Sequence, residues 1–476
     1  MHNAPKNPLA AISRPFFIPV LLGMMTTSAL SQDVDDSALL DDILGQSTEI
    51  VEEGSSDGDD PQNPLRFRIE SSATAFDRRT ANPSPPSAAS NWALRTRMVG
   101  EGTFILGDEL SFRLNSALTI NHDDRAVFDA DEDVNLAVRE AYFLWQSGQA
   151  SLQFGRINIR NGSAIGFNPV DFFRIQDADE RTNLDPTEAR QNRLGVLAAQ
   201  FGWDWDNGSV GLTYAPEITG GSDIFHDEPI FGLNLSSTNP SERILLTATY
   251  AIADGFSPEA YILWDDGDLK YGLAGSVSIG DQWILYGEWA GGNRRNLIDT
   301  ALFDDRESDR LDPIITSFLG ADAGKQHQNE VALGFSYSTA SNIVTNLEYH
   351  YNSRGLSSAD WDSYFAAAAA AAGNPRASGQ LANIPLTAAL GLEPASMHSL
   401  FWRTAFNDVV DDLTLTTIAN VSMADWSASL QIQGDYDLND TTTLYGRIGG
   451  NFGPAESDFG SRSNAAFAEI GVRMHF

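Results

Sequence analysis

From residue 65 to the end of the chain, apolar and polar residues alternate with a period of two. In 426–436, for example, Leu430 and Ile432 fall on one face, and Gln431 and Gln433 fall on the other. The alternation runs in segments of roughly ten residues, the length that a tilted strand needs to cross a bilayer. No apolar stretch reaches the roughly 18–20 residues of a membrane helix. The pattern therefore predicts strands with an apolar face toward lipid and a polar face toward water.

About eighteen such strands can be placed, and an even number allows a closed antiparallel barrel with both ends on one side. The sequence thus predicts an all-β fold, a transmembrane antiparallel up-and-down β-barrel. The predicted strands lie near 65–76, 90–104, 110–120, 134–147, 150–158, 191–201, 209–215, 242–251, 257–265, 268–279, 282–290, 328–338, 342–351, 397–407, 413–421, 426–436, 441–450 and 466–476.

The predicted connections differ in length between the two ends of the barrel. Most connections after odd strands are long, such as 159–190 and 352–396, whereas those after even strands are short, such as 148–149. Outer-membrane barrels have this asymmetry between external loops and periplasmic turns. The links near 266–267 and 422–425 are short exceptions. In loop 352–396 the alanine run from Ala366 to Ala372 predicts a short helix.

The first 64 residues do not continue the alternation. Lys6 and Arg14 precede an apolar run over 16–25, and the small residues Ala29 and Ser31 predict cleavage before Gln32. Residues 1–31 are therefore predicted to be a signal peptide. Residues 32–64 are acidic and polar without Lys or Arg, which predicts a flexible periplasmic segment. The barrel is then 65–476, and the predicted location is the outer membrane of a Gram-negative cell.

Composition excludes several functions. Asp and Glu number 65 against 30 Lys and Arg, a net charge of -35, and so acidic a chain lacks the basic surface that nucleic-acid binding requires. There is no cysteine, so neither a disulfide nor a thiolate metal site can form. No histidine is spaced to serve a nucleophile, and no cofactor motif is present. We expect no enzyme activity, cofactor or metal site.

Basic residues cluster on the polar faces of the first six and last two predicted strands. Because these strands are neighbours in a closed barrel, one wall of the lumen is predicted to be rich in arginine, which suits carboxylate, phosphate or sulfate groups. The middle strands instead present Glu288, Glu330 and Glu348, with Lys270 as a lone cation. The arginines of the wall are Arg66, Arg68, Arg95, Arg97, Arg113, Arg139, Arg193, Arg447 and Arg473. The alternative is that they pair with acids of the same wall, which are Glu70, Glu101 and Glu469.

The connection 159–190 carries apolar residues that an external loop has little reason to expose. Ile165, Phe167, Phe172 and Phe173 lie close together in it. The simplest placement folds this loop inward against the wall, where it narrows the lumen.

Two resemblances extend these predictions. The last strand ends on Phe476 with Ile470, Val472 and Met474 on the same face, and it resembles the C-terminal strand of Gram-negative outer-membrane proteins that the barrel-assembly machinery recognises. The inward loop after the fifth strand resembles that of the general porins, where it forms a constriction opposite arginines. That resemblance implies that the acidic side of the constriction consists of Asp171, Asp177, Asp179 and Glu180.

The chain departs from the trimeric general porins in strand count and lacks their loop motif, which leaves monomer and trimer open. Its strand count and arginines are also similar to those of sugar-specific and alginate-export channels. We therefore expect a porin for passive passage of small hydrophilic, anionic solutes. The alternative is an export port for an anionic exopolysaccharide. The expected surroundings are outer-membrane lipid and lipopolysaccharide.

Overall fold

The computed structural model describes residues 65–80, 83, 90–124, 133–174, 183–218, 235–253, 255–320 and 322–476. The predicted signal peptide and acidic segment lie outside these residues. The described residues form eighteen strands, and each predicted strand overlaps one of them. The sixth strand begins at 196 and not at the predicted 191, which leaves Arg193 in the preceding loop. They are β1 Leu65–Arg78, β2 Trp92–Ile105, β3 Leu110–Asp123, β4 Val134–Ser147, β5 Ala150–Ile157, β6 Val196–Trp205, β7 Gly208–Ala215, β8 Arg243–Tyr250, β9 Glu259–Asp265, β10 Asp268–Ile279, β11 Trp283–Arg294, β12 Gln326–Ser338, β13 Ile343–Asn352, β14 His398–Val410, β15 Leu413–Ser422, β16 Ala428–Asn439, β17 Thr442–Phe452 and β18 Asn464–His475.

Each strand pairs antiparallel with the next strand in sequence, and β18 pairs with β1. In the closing pair, Ala73 lies opposite Ile470 and Ile69 lies opposite Met474. The backbone of Phe476 adds two hydrogen bonds to Phe67, of 2.9 and 3.2 Å. Closure leaves no strand edge unpaired, which is how a sheet satisfies its backbone groups in lipid. The predicted fold class is confirmed.

The side chains alternate between the two faces of the sheet as the sequence predicts. In β16, Gln431 is 0% exposed, whereas its neighbour Ile432 is 40% exposed. Large apolar side chains on the other face are exposed, and Phe154 and Ile470, for example, are each 60% exposed. Polar residues therefore fill the inside of the barrel, and an apolar surface covers its outside.

The connections keep the predicted asymmetry. The link between β4 and β5 is 148–149, whereas those between β5 and β6 and between β13 and β14 are 158–195 and 353–397. Asp266 and Gly267 join β9 to β10 as a two-residue turn, and both have positive φ, of 47° and 87°. Turns with two positive φ values match the twist of paired strands.

Seven helices lie in the described parts of the long connections: α1 Pro186–Gln191, α2 Leu235–Thr238, α3 Leu297–Ala301, α4 Phe303–Glu307, α5 Pro313–Leu319, α6 Ser358–Ala370 and α7 Pro375–Leu390. Ser357 and Asp360 form a reciprocal cap at the start of α6, where the alanine run predicts a helix. None of these helices is long and apolar enough to cross a membrane.

Helices α3 to α7 belong to two neighbouring long connections, 295–325 and 353–397, and form what we call the helical cap. Leu297, Ile315, Trp361, Tyr364 and Leu381 pack in its own hydrophobic core. The cap therefore has a packed interior separate from the barrel wall, and its helices bury apolar faces against one another.

Candidate pore constriction and its charged walls

The connection between β5 and β6 folds into the barrel, as predicted. We call its described residues, 158–174 and 183–195, the inward loop. Ile165, Phe167 and Phe173 are each less than 5% exposed, and Phe172 packs against Tyr261 of β9. Apolar side chains of the loop thus contact the far wall, which removes them from water.

Two glutamates of the opposite wall fix the tip of the inward loop. Glu288 Oε1 of β11 accepts hydrogen bonds from the backbone amides of Ser163 and Ala164, both at 2.6 Å. Glu348 of β13 accepts those of Ile165 and Gly166 at 2.6 and 2.9 Å. We call Glu288 and Glu348 the carboxylate latch. Hydrogen bonds to an ionised acceptor are stronger than neutral ones.

Neighbouring groups hold the latch in place. Tyr286 OH donates to Glu348 at 2.8 Å, and His350 Nε2 lies 2.6 Å from the same carboxylate. The loop approaches so closely that a Cβ at Gly166 would lie 2.4 Å from the ring of Phe401. Gly162 has φ of +75°, and a Cβ there would lie 2.5 Å from Glu288. Glycine is required at both positions.

The rest of the inward loop reaches the strands that close the barrel. Asp185, the N-cap of α1, lies 3.8 Å from Arg403 of β14. Glu188 lies 3.2 Å from Arg447 of β17 and 3.7 Å from Arg473 of β18. The loop therefore leaves β5, binds β11 and β13, and returns beside β17 and β18. It crosses the lumen.

Of the four residues predicted for the acidic side of the constriction, the structure describes Asp171. Asp171 pairs with Arg193, and their side chains are 1% and 3% exposed. Burial lowers the pKa of Arg193 to about 10, although the charge of Asp171 acts in the opposite direction. Asp171 is thus sealed in an ion pair and does not face the other arginines across open water, because the loop packs over it. Asp177, Asp179 and Glu180 lie outside the described residues.

The other eight predicted arginines lie on β1 to β4, β17 and β18. Arg66 is exposed, and Arg68, Arg95, Arg113 and Arg473 are half-buried. Arg97, Arg139 and Arg447 are each no more than 2% exposed. Water therefore reaches five of these eight arginines.

The alternative that the arginines pair within the wall also finds support. Arg95 lies 3.5 Å from Glu70 and 3.7 Å from Glu469. Arg473 lies 3.7 Å from Glu70, and Arg447 lies 3.9 Å from Glu469. Glu101 accepts from the amide of Asn115 at 3.2 Å. The arginine wall is therefore a network of mixed charge.

The middle strands carry more positive charge than predicted. The prediction that Lys270 is their lone cation is therefore wrong. Arg294 lies 2.5 Å from Glu330, because β11 runs four residues beyond its predicted end at 290. Arg403 is buried on β14. It lies within the predicted strand 397–407, so its alternation with Trp402 could have revealed it. Among the described residues, no group of three or more histidine, aspartate or glutamate side chains is placed to hold a metal ion.

No family model matches this chain, and no curated protein is similar to it in sequence. Solved structures are similar over most of its length. A multiply substituted porin of Rh. blastica is 13% identical, with 87% of this chain and 99% of that chain covered and a TM-score of 0.39. OccK5 (OpdH) of Pseudomonas aeruginosa is 9% identical, with 87% and 97% covered and a TM-score of 0.47. That the barrel of this chain is closed follows from the pairing of its own strands, including β1 with β18.

Proposed function

We propose that the protein is an outer-membrane channel for small hydrophilic solutes. The observation that carries the proposal is the inward loop, which crosses a closed barrel that is apolar outside and charged inside. An apolar outer surface of this kind is suited to lipid and to the acyl chains of lipopolysaccharide. A polar interior narrowed by a fixed loop is suited to size-limited diffusion.

Anionic solutes are the class that the arginine wall favours. On the inward positions of β1 to β4, β17 and β18, eight predicted arginines stand against five carboxylates of the same strands and two that approach them, Glu188 of the inward loop and Asp435 of β16. The five are Glu70, Glu101, Asp123, Glu140 and Glu469. Guanidinium groups remain charged at every physiological pH and present several donors. An excess of them along one wall raises the local concentration of anions.

The inward loop supports small solutes over a polymer. A polysaccharide chain needs a continuous wide passage, whereas the carboxylate latch and the contacts of Glu188 with Arg447 and Arg473 hold the loop across the lumen. The export-port alternative would require this loop to be displaced.

Planar-bilayer recording of the purified, folded chain tests the proposal. We expect discrete conductance steps in KCl and, under a salt gradient, a reversal potential displaced toward that of chloride. Folded protein that inserts without conductance steps would contradict the channel. A reversal potential displaced toward that of potassium would contradict the anion preference while leaving the channel intact.

A further inference from the structure

A second group of cations lies on the inner wall away from the arginine wall. Lys270 of β10 and Arg294 of β11 are joined there by Arg174 of the inward loop and by Arg354, which follows β13. Arg174 and Arg354 lie 3.6 and 3.8 Å from Glu330. Four separate segments of the chain thus bring positive charge around one carboxylate of β12.

The carboxylates paired with these cations do not balance them. Glu330 serves three arginines, Asp265 lies 2.5 Å from Lys270 Nζ, and Glu393 lies 2.8 Å from Arg354. Four cations therefore share three carboxylates in these ion pairs. A partly buried positive charge in excess attracts an anion more strongly than an exposed one, because solvent screens it less.

A cleft opens beside this group, between Phe172 of the inward loop and strands β10 to β12. Lys270, Arg294 and Gln328 line it with Ala290 and Gly292. The side chains of Lys270 and Arg294 are 16% and 25% exposed, so a solute can reach both. A Cβ at position 292 would lie 2.9 Å from the stem of Lys270, so glycine keeps this side of the cleft open.

The polar groups of the cleft are mainly donors. Within the described residues, Asp265 is the hydrogen-bond partner of Lys270 Nζ, which carries three N–H groups. Gln328 Oε1 accepts a hydrogen bond from Ser353 at 2.6 Å. The side-chain NH2 of Gln328 is therefore the group that can donate to a solute. Glu330 also lines the cleft, where Oε1 accepts a hydrogen bond from Arg294 and Oε2 lies 3.6 Å from Arg174 without a hydrogen-bond partner among the described residues. Phe172 and Ala290 add an apolar side.

We propose that this cleft, the inner-wall cleft, is a binding site for the carboxylate or phosphate group of a small solute, with Phe172 and Ala290 contacting adjoining hydrocarbon. Its enclosed space is about 10 Å³, room for about one water molecule, so the anionic group lies at the mouth of the cleft, on the lumen side. The site therefore takes one anionic group rather than a whole oligosaccharide. The inference rests on the proposed function, because the solute reaches the cleft through the lumen.

Calorimetric titration of the detergent-folded protein with benzoate and, separately, with inorganic phosphate tests the site. We expect saturable millimolar binding of at least one probe. The double variant Lys270→Gln/Arg294→Gln should weaken it by at least about tenfold, because charged hydrogen bonds contribute most of the affinity. Lys325→Gln is the matched control, since Lys325 pairs with Asp268 and is 45% exposed outside the cleft. It removes a cation and should leave binding unchanged.

The variant Gln328→Met removes a donor without altering charge, and it keeps the test valid if the double variant fails to fold. We expect weaker binding from it as well. If benzoate binds more tightly than phosphate, Phe172 and Ala290 contribute to binding. If phosphate binds more tightly, the site is specific for phosphate groups.

Absence of binding by the wild type, or equal weakening by Lys325→Gln, would overturn the site. Conductance steps with no binding would refute this inference alone. Absence of conductance steps would refute the proposed function itself.

Discussion

Glu288 and Glu348 each accept two successive backbone amides of the inward loop. Both side chains are buried and accept these N–H groups, and Glu348 is contacted by Tyr286 and His350 in addition. A buried carboxylate without such partners would be costly. The pattern of donors therefore makes the latch the main polar anchor of the loop tip.

We expect Glu288→Gln/Glu348→Gln to loosen the inward loop while the barrel stays folded. At Glu348 the change replaces charge-assisted hydrogen bonds, worth about 1.5–3 kcal/mol each, by weaker neutral ones, and at Glu288 it replaces a carboxyl acceptor by an amide. Single-channel recordings should show greater open-channel noise and a higher mean conductance. Glu101→Gln is the control, because Glu101 is exposed and bonds Asn115 rather than the loop. Current traces that match the wild type would show that the latch does not position the loop.

Individual contacts in the lumen could not be derived from the sequence, although many of their residues could. The alternation identifies Glu288, Glu348 and Arg95 as inward-facing, since it needs only local order. It does not reveal that Ser163 bonds Glu288, because the two are 125 positions apart and meet only after the loop crosses the barrel. The sequence likewise does not reveal that Asp171 is buried beside Arg193, because the pair forms only when the loop packs over it.

At the scale of elements, the strands were the most predictable part of the molecule. β4 and β10 begin and end at the residues that the alternation indicates. The ends of other strands shift where the loop chemistry is ambiguous. Strand β11 continues through Gly291 and Gly292, which resemble a turn in sequence. This extension carries Arg294 into the lumen and so decides the charge of that wall.

Removing the inward loop should enlarge the passage. We expect replacement of 161–190 by a short glycine-serine link between β5 and β6 to raise single-channel conductance several-fold, because the loop lies across the lumen. Heat-modifiable migration on gels would verify that the barrel still folds. A folded variant with unaltered conductance would mean that ions pass by a route the loop does not narrow.

The helical cap should unfold separately from the barrel. Leu381 is 0% exposed in its core, and Leu381→Ala should destabilise the cap by about 2–5 kcal/mol, through lost burial and the cavity left behind. Hydrogen exchange of α6 and α7 should accelerate while the strands keep their protection. Leu390→Ala on the same helix is the control, since Leu390 is 40% exposed. Equal effects of the two substitutions would contradict a packed cap.

At the scale of the whole molecule, the barrel closes through β1 and β18, with Phe476 bonded to Phe67. The aromatic side chain of Phe476 is 66% exposed, so it adds little to packing within the barrel. We expect Phe476→Ala to leave folding in detergent unchanged and to lower the amount of protein assembled in the outer membrane. That combination would support recognition of the last strand by the assembly machinery. Unchanged outer-membrane levels would refute it.

The proposed selectivity of the channel depends on the charge balance of the arginine wall. Arg113 Nε lies 3.4 Å from Glu140, and their side chains are 28% and 10% exposed. If solvent-facing charges set selectivity, removing either partner changes the net charge of the wall by one unit, whereas removing both leaves the net charge unchanged.

We therefore expect Arg113→Gln to shift the reversal potential toward cations and Glu140→Gln to shift it toward anions. The double variant should return close to the wild type. The shifts should be large at 0.1 M salt, where the Debye length is about 10 Å, and small at 1 M, where it is about 3 Å. If all three variants keep the wild-type reversal potential at low salt, this ion pair stabilises the barrel wall and does not affect selectivity. Anion preference would then have to come from the remaining exposed arginines.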